Sequence, residues 1–446
     1  MVFVRARRRA FLSAVLLAVL IPTVCYCQGT GESVNAPPGA PAGRSSSPRD
    51  AYTLPPADLA KAVALSRIQD VLAFGGSLWG ITFLWLLLAT GAAAATDGWT
   101  QRVLRRRWIQ GLLFFALFLL AAFLAGLPFD WFAQYSSRSY GISVQGWPSW
   151  TRDEATSLAI SLLIGAPLLL FFNWMVRRWP RRFWFAAWLI SLPLMVIAVF
   201  AEPLIIDPLF NKFEPLQKTD PALVLQLEKV VRRTRIDIPP SRMFLMKASA
   251  KTNGINAYVT GIGPSKRIVV WDTTADRVPT DQILFIFGHE SGHYVLHHIP
   301  KGLAISAVCL FFGFWICAGL AFWVVRRCGS RWHINSLADR SGFIVLLFVL
   351  SVAGFLAEPG ANAVSRHFEH QADIFGQEAI HGIVPDPQKT AVSAFNVLGR
   401  IWLENPHPSS FVVFWLYSHP SVQARAHFAA HFDPWADGGH GRYFNK

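Results

Sequence analysis

The run His289-Glu290-Ser291-Gly292-His293 holds the residue types that could hydrolyse a peptide bond. Histidines four positions apart project from one helix face, and their ring nitrogens can bind one zinc ion at about 2.0–2.1 Å. Glu290 points about 100° farther around the helix, where it can accept a proton from the attacking water. Residues 283–287 are apolar, so the helix should be buried, where an unpartnered glutamate is costly. The pattern predicts a hydrolytic zinc site rather than two stray histidines on a surface helix.

A hydrolytic zinc site needs a third protein ligand and an open position. The segment 365–373 contains Glu369 and Asp373, which are i, i+4 neighbours on one helix face. We predict that Glu369 is the third ligand and that Asp373 accepts a hydrogen bond from a ligating histidine and so orients it. His367 and His370 remain alternative ligands, although solvent-facing positions suit them better. The expected cofactor is one zinc ion per chain.

The composition indicates a membrane protein. Of 446 residues, 53% are hydrophobic and 15% are charged, against about 25% charged in soluble domains. The net charge of +14 does not indicate a nucleic-acid partner, because the arginines form short clusters beside apolar runs, as in cytoplasmic loops. These clusters lie at 5–9, 102–107, 177–182 and 326–331. The five cysteines have no zinc-site spacing with histidines and imply no disulfide framework.

Hydropathy divides the chain into six segments. Residues 1–27 are predicted to be a signal peptide or signal anchor, and 28–58 a flexible Pro/Gly/Ser-rich linker. An N-terminal membrane domain of four helices should occupy 59–204, a catalytic insert 205–300, two further membrane helices 301–361, and a C-terminal catalytic segment 362–446. The six apolar runs are 74–95, 109–127, 158–175, 183–204, 303–325 and 343–356, the last of which could extend to 364.

The catalytic insert has mixed secondary structure. The patterns predict a helix at 221–235, two strands at 255–260 and 267–271, and the histidine-bearing helix from Thr280. Gly288 and Gly292 each cost this helix about 1 kcal/mol, which suggests the close approach of another backbone. The predicted fold class is a polytopic α-helical membrane protein with a small α+β, zincin-like catalytic domain.

These motifs together resemble the type I CAAX prenyl proteases, a family of gluzincin-type integral-membrane metallopeptidases. The resemblance runs from about residue 52 to 432 and its motifs occur in order. They are His289–His293, Ser365-Arg366-x-x-Glu369-x-x-Ala372-Asp373, Pro208–Leu216, Asn256-Ala257-Tyr258 with Lys266–Val270, Tyr140–Ser143 with Trp147, and Ser418-His419-Pro420-Ser421 followed by Arg425.

The resemblance implies roles for residues beyond the zinc ligands. Asn256, with Ala257 and Tyr258, would hold an extended substrate against the strand edge. His419 would stabilise the oxyanion of the tetrahedral intermediate, and Arg425 would support the site. The family also implies that Asp373 donates a proton, whereas the chemistry of the residues favours the orienting role. The membrane helices would enclose an intramembrane chamber with zinc on its wall.

The predicted function is zinc-dependent endopeptidase activity near the membrane, on peptide or protein substrates that the resemblance implies are lipidated. One alternative is a membrane quality-control protease that requires no prenyl group. A non-enzymatic alternative is a transporter or receptor with a structural zinc ion. The intact Glu290 argues against the latter, because a structural site needs no water-activating carboxylate.

The positive-inside rule predicts the orientation of the chain. If the cluster at 5–9 is cytoplasmic, the apolar run within 1–27 delivers the linker outside, and the six later runs then return every other arginine cluster to the cytoplasmic side. The catalytic segments then lie on the extracytoplasmic side, opposite to the orientation usually described for eukaryotic members of the family.

Overall fold

The computed structural model describes residues 31–32, 51–261 and 265–444. The helices are α1 (Pro56–Ala89), α2 (Ala92–Val103), α3 (Arg107–Ser139), α4 (Trp147–Arg178), α5 (Phe183–Phe210), α6 (Leu216–Thr219), α7 (Pro221–Thr234), α8 (Asp272–Arg277), α9 (Thr280–Val295), α10 (His298–Cys328), α11 (Arg340–Ile380), α12 (Pro387–Ile401), α13 (Ser410–Leu416) and α14 (Val422–His431). The strands are β1 (Gly31–Glu32), β2 (Phe213–Pro215), β3 (Met243–Met246), β4 (Gly254–Ile255), β5 (Ala257–Thr260) and β6 (Arg267–Trp271).

Six of these helices are long and apolar enough to cross a membrane, which confirms the number of spans predicted from hydropathy. They are α1, α3, α4, α5, α10 and α11. Each of these helices packs against the next one in the order α1, α3, α4, α5, α10, α11, and α11 packs against α1. The six helices therefore close into a ring.

Two predicted spans differ from the structure in extent. The first apolar run continues to residue 95, but α1 ends at Ala89 because Gly91 adopts a left-handed conformation with φ 71°. The sixth run, 343–356, lies within the first half of α11, a 41-residue helix. This helix crosses the predicted boundary at 361/362 without a break, because its polar second half faces the buried interior of the catalytic region.

The predicted linker is shorter than the sequence indicated. Its first part and the predicted signal sequence lie outside the described residues, apart from the strand Gly31–Glu32. Tyr52 is 1% exposed, and its hydroxyl donates to the backbone oxygen of Glu404 at 2.9 Å. Helix α1 then begins at Pro56. The aromatic and apolar residues at 52 and 54 anchor this stretch to the core, so it is not flexible.

One end of the ring is closed by a buried arginine. The Arg340 guanidinium donates to Asp97 Oδ1 at 2.5 Å, to Gln110 Oε1 at 2.9 Å and to the backbone oxygen of Arg107 at 3.1 Å. These bonds join α2, α3 and the first turn of α11. The same end of the bundle holds the arginines at 102–107 and 177–182, since Arg177 donates to the backbone of the segment before α11.

The catalytic insert folds around a four-stranded sheet of order β2-β3-β6-β5. β3 and β6 are parallel, and the other pairs are antiparallel. The strand predicted at 267–271 is confirmed as β6, whereas the one predicted at 255–260 is divided at Asn256 into β4 and β5, which belong to different sheets. β5 is an edge strand that lies beside α9, and the helix predicted at 221–235 is confirmed as α7. A two-residue pairing joins β1 to β4.

Candidate active site

The site forms where α9 crosses α11. At this crossing, a Cβ on Gly376 would lie 2.8 Å from the backbone nitrogen of His289 and 3.0 Å from its Cα. A Cβ on Gly288 would lie 3.1 Å from the Gly376 backbone oxygen, which confirms the predicted close backbone approach. The second glycine of the motif, Gly292, instead meets the Phe375 side chain. Small residues on both helices thus let side chains from each meet across a short gap.

Three buried side chains that could each bind a metal ion converge at this crossing. His289 Nε2 and His293 Nε2 are 3.2 Å apart. A Glu369 oxygen lies 3.4 Å from the first nitrogen, and the other lies 3.5 Å from the second. Within the described part of the chain, this is the one group of three or more such side chains able to hold a metal ion. His367 and His370 do not join it, because they lie beside Gln371 and Phe428.

The other nitrogen of each histidine is held in place. His289 Nδ1 lies 2.9 Å from Asp373 Oδ1, which also accepts a bond from Arg425 Nη2 at 2.6 Å. Arg425 Nε donates to the second oxygen of Asp373 at 2.9 Å. On the other ligand, His293 Nδ1 lies 3.0 Å from His298 Nδ1. Both Nε2 lone pairs are therefore directed at the same space as the Glu369 carboxylate, and this donor set fits a zinc ion.

The sequence analysis did not identify His298. It follows His293 by five positions, a spacing that does not place two side chains on one helix face. Between them, α9 ends and His297 adopts the left-handed conformation with φ 57°, which turns the chain into α10. No periodicity signals such a turn in advance.

Burial and hydrogen bonds both shift the pKa values of the site residues. It raises the pKa of Glu290 to about 8, although nearby His289 opposes the shift. Burial also lowers the pKa of His293 to about 3. For His289, burial lowers the pKa, but hydrogen bonds with Asp373 and Glu369 outweigh it and raise the pKa to about 9.

A cavity opens beside these groups. It is lined by β-strand residues Ile255, Asn256 and Ala257, by the site residues His289, Glu290, Glu369, His419 and Arg425, and by Phe285, Ile286, Phe395 and Leu398. The cavity therefore joins the donor cluster to one end of the sheet.

Of the residues predicted to bind substrate at the strand edge, Asn256 and Ala257 line this cavity and Tyr258 does not. Asn256 is 3% exposed, and neither its Oδ1 nor its Nδ2 has a hydrogen-bond partner among the described residues. A buried amide without partners costs about 1–3 kcal/mol, so its place beside the cavity indicates a ligand. Tyr258 does not line the cavity, because its side chain lies on the opposite face of β5, where the hydroxyl donates to Asp207.

His419 lies on the loop between α13 and α14. Its Nδ1 is 2.9 Å from the Ser418 hydroxyl, and its Nε2 is 3.4 Å from Glu369 Oε1. Burial lowers the pKa of His419, so the ring is neutral at pH 7. If the Ser418 hydroxyl donates to Nδ1, the ring proton resides on Nε2, on the side that faces the donor cluster.

Known protein families and individual proteins are similar to this chain along most of its length. A model of "Peptidase family M48" matches residues 217–432, and one described as "CAAX prenyl protease N-terminal, five membrane helices" matches residues 47–212. A Bacillus subtilis protein named "Uncharacterized metalloprotease YhfN" is 34% identical over 84% of this chain and 86% of its own. Saccharomyces cerevisiae "CAAX prenyl protease 1" is 26% identical over 71% of each chain. The crystal structure of S. mikatae Ste24p shares the fold, with a TM-score of 0.70, 22% identity and coverage of 84% of this chain and 90% of that one.

Proposed function

Because this chain belongs to peptidase family M48 and is a membrane metalloendopeptidase, we propose that it uses one zinc ion to cleave extended peptides beside the membrane. His289, His293 and Glu369 would hold the ion. The observation that carries the proposal is the convergence of their three buried donor atoms, which lie within 4.8 Å of one another. The position of Glu290 beside this cluster favours catalysis over a structural metal site.

Zinc, when bound, would polarise the substrate carbonyl and lower the pKa of a water at the open position. The charge of the ion would lower the pKa of the adjacent Glu290, so that its carboxylate can accept a proton from the attacking water and then deliver it to the leaving amine. His419 donates its Nε2 hydrogen to the carbonyl oxygen as that oxygen gains negative charge. Asp373 orients His289 rather than donating a proton, because Arg425 binds both of its oxygens and the cavity is not lined by it.

The edge of β5 supports binding of an extended chain. The Trp271 backbone nitrogen donates to the Asn256 oxygen at 2.9 Å. Bonds alternate along an antiparallel pair, so the backbone groups of Ala257 point away from β6, towards the free edge. A substrate strand would pair with Ala257 there, and the Asn256 amide would bond the substrate backbone.

Metal content and cleavage measured on the same purified variants test these assignments. Glu290→Gln should keep zinc and lose cleavage, because it removes the base but no ligand. His289→Ala and Glu369→Ala should lose zinc as well. His370→Ala is the matched control and should keep both properties. A full equivalent of zinc in Glu369→Ala would refute its assignment as a ligand and return attention to His367 and His370.

The orientation is part of the proposal: the catalytic segments lie on the extracytoplasmic side. Support comes from the bonds of Arg340 and Arg177, which gather the loops after α1, α4 and α10 at one end of the bundle. The positive-inside rule assigns that end to the cytoplasm.

Impermeant thiol labelling of intact cells tests this orientation in an otherwise cysteine-free chain. Single cysteines replace two exposed serines, Ser330 in the loop after α10 and Ser241 in the catalytic insert. Labelling at position 241 but not at 330 is expected. The reverse pattern would overturn the orientation.

The substrate class is resolved by one comparison. Relatives of this chain carry the name CAAX prenyl protease, which supports a lipidated substrate. We expect a higher kcat/KM for a peptide that ends in a prenylated CAAX sequence than for the same peptide without the lipid. Equal values would favour the quality-control alternative, in which exposure of an extended chain is the sole requirement.

A further inference from the structure

We propose that His298 is a positioning residue for the metal ligand His293, with Gln371 fixing the tautomer of His298. The inference rests on the proposed metal site. Asp373 contacts His289 but not His293, and the inference assigns His298 as the partner of His293. The basis is a chain of hydrogen bonds that leads from the donor cluster to the surface.

The hydrogen bond between His293 and His298 determines which atom donates in each of the following bonds. His293 turns Nε2 towards the other ligands, so a neutral ring carries its hydrogen on Nδ1. That hydrogen points at His298 Nδ1, 3.0 Å away, which must therefore be the acceptor. His298 then carries its own hydrogen on Nε2, and Gln371 Oε1 lies 2.9 Å away to accept it.

The far end of the chain is consistent with this direction. With its oxygen towards His298, the Gln371 amide turns Nε2 towards the exposed His367, whose Nε2 lies 3.2 Å away. An amide nitrogen can only donate, and an unprotonated imidazole nitrogen accepts. Each of the three contacts thus has one donor and one acceptor.

The fold holds the His298 ring in one orientation. The residue is 4% exposed and begins α10, directly after the left-handed turn at His297. Its ring stacks on Phe368 at a centroid distance of 4.5 Å and an interplanar angle of 9°. Phe368 precedes the proposed ligand Glu369 on α11. The His298 ring therefore contacts one proposed ligand, His293, and the chain neighbour of another.

The two ligating histidines consequently differ in their partners. His289 faces Asp373, a carboxylate that is paired with Arg425, whereas His293 faces a neutral imidazole. Partners of this kind fix the ring orientation of a metal ligand, and their loss typically reduces metal affinity about 10-fold to 100-fold. We expect a loss of that size when His298 can no longer accept the bond.

The decisive variant is His298→Phe, which keeps an aromatic ring to stack on Phe368 but has no acceptor atom. The dissociation constant for zinc, measured by competition with a chromogenic chelator, should rise about 10-fold to 100-fold. His298→Asn places an amide oxygen near the former Nδ1 and should recover most of the affinity. His297→Asn, at the exposed neighbouring position, is the control. Asparagine tolerates the left-handed backbone conformation there, so the dissociation constant for zinc should stay unchanged.

Gln371→Leu supplies a second test that leaves His298 in place. Without an acceptor for Nε2–H, the ring can adopt its other tautomer and present a hydrogen to His293, so zinc should bind more weakly and Co²⁺-loaded protein should show an altered visible spectrum. Thermal unfolding of the metal-free variants separates folding defects from loss of affinity. Wild-type affinity in both His298→Phe and Gln371→Leu would refute the inference and leave His298 a packing residue. Failure of the proposed metal site itself would appear differently, as absence of stoichiometric zinc in the unmodified protein.

Discussion

Replacement of Gly376 by alanine tests whether the helix crossing sets the geometry of the site. The new Cβ would lie 2.8 Å from the His289 backbone nitrogen, and backbone atoms cannot rotate away as a side chain can. Ordinary contact begins at 3.4 Å, so α9 and α11 must separate by about 3.4 − 2.8 = 0.6 Å. His289 would then move away from Glu369, since the two ligands lie on the two helices.

Two effects of Gly376→Ala follow from this displacement. Overpacking costs about 1–3 kcal/mol of unfolding free energy, and the better helix propensity of alanine returns about 1 kcal/mol of that loss. A misplacement of about 1 Å in a catalytic group can reduce the rate about 10²-fold, so 0.6 Å should lower kcat/KM by about 10-fold or more. The catalytic loss should therefore exceed what the modest loss of stability would suggest.

The assay compares kcat/KM, zinc affinity and the melting temperature of Gly376→Ala with those of Gly354→Ala. Gly354 lies on the same helix, and a Cβ there would meet nothing within 4 Å. The control should keep full activity and be as stable as the parent or slightly more stable. A Gly376→Ala protein with unchanged kcat/KM and melting temperature would show that the crossing does not hold the ligands at a required spacing.

Three further predictions concern other parts of the molecule. His419→Ala should lower kcat by roughly 10²-fold or more with little change in KM, and an unchanged kcat would reduce His419 to a structural residue. Arg340→Leu should lower the unfolding free energy by about 3–5 kcal/mol, because Asp97 stays buried without its partner; a denaturant titration measures this, and the double variant with Asp97→Leu should recover part of the loss. Glu378→Gln should expose the C-terminal segment to limited proteolysis, since the buried carboxylate accepts three backbone N–H groups from residues 442–444; unchanged cleavage kinetics would contradict this.

The sequence was most informative where one physical requirement determines the residue pattern. Six spans follow from the length of apolar chain needed to cross hydrocarbon, and their number is confirmed. The i, i+4 spacing identified His289 and His293 as side chains on one face, which the structure bears out. Glycines in an otherwise apolar helix correctly indicated a close backbone approach at Gly288.

Prediction was weakest where contacts depend on how distant segments pack. The bond between His293 and His298 depends on a left-handed turn at His297, which no periodic pattern encodes. The length of α11 was missed because its second half is polar, and hydropathy cannot distinguish a polar helix inside a protein from a soluble segment. Alternate residues of a strand face opposite ways, so Tyr258 lies on the other face of β5 from Ala257, which lines the cavity.

The placement of the ligands on α9 and α11 has a consequence for biosynthesis. A ribosome that has released the chain only as far as α10 has delivered His289 and His293, but neither Glu369 nor the Asp373–Arg425 pair. Two histidines alone form an incomplete site, and the glycine crossing that brings the third donor close does not yet exist. Under the proposed assignment, the growing polypeptide has no complete metal site until Glu369 and Arg425 have emerged and α9 and α11 have packed together.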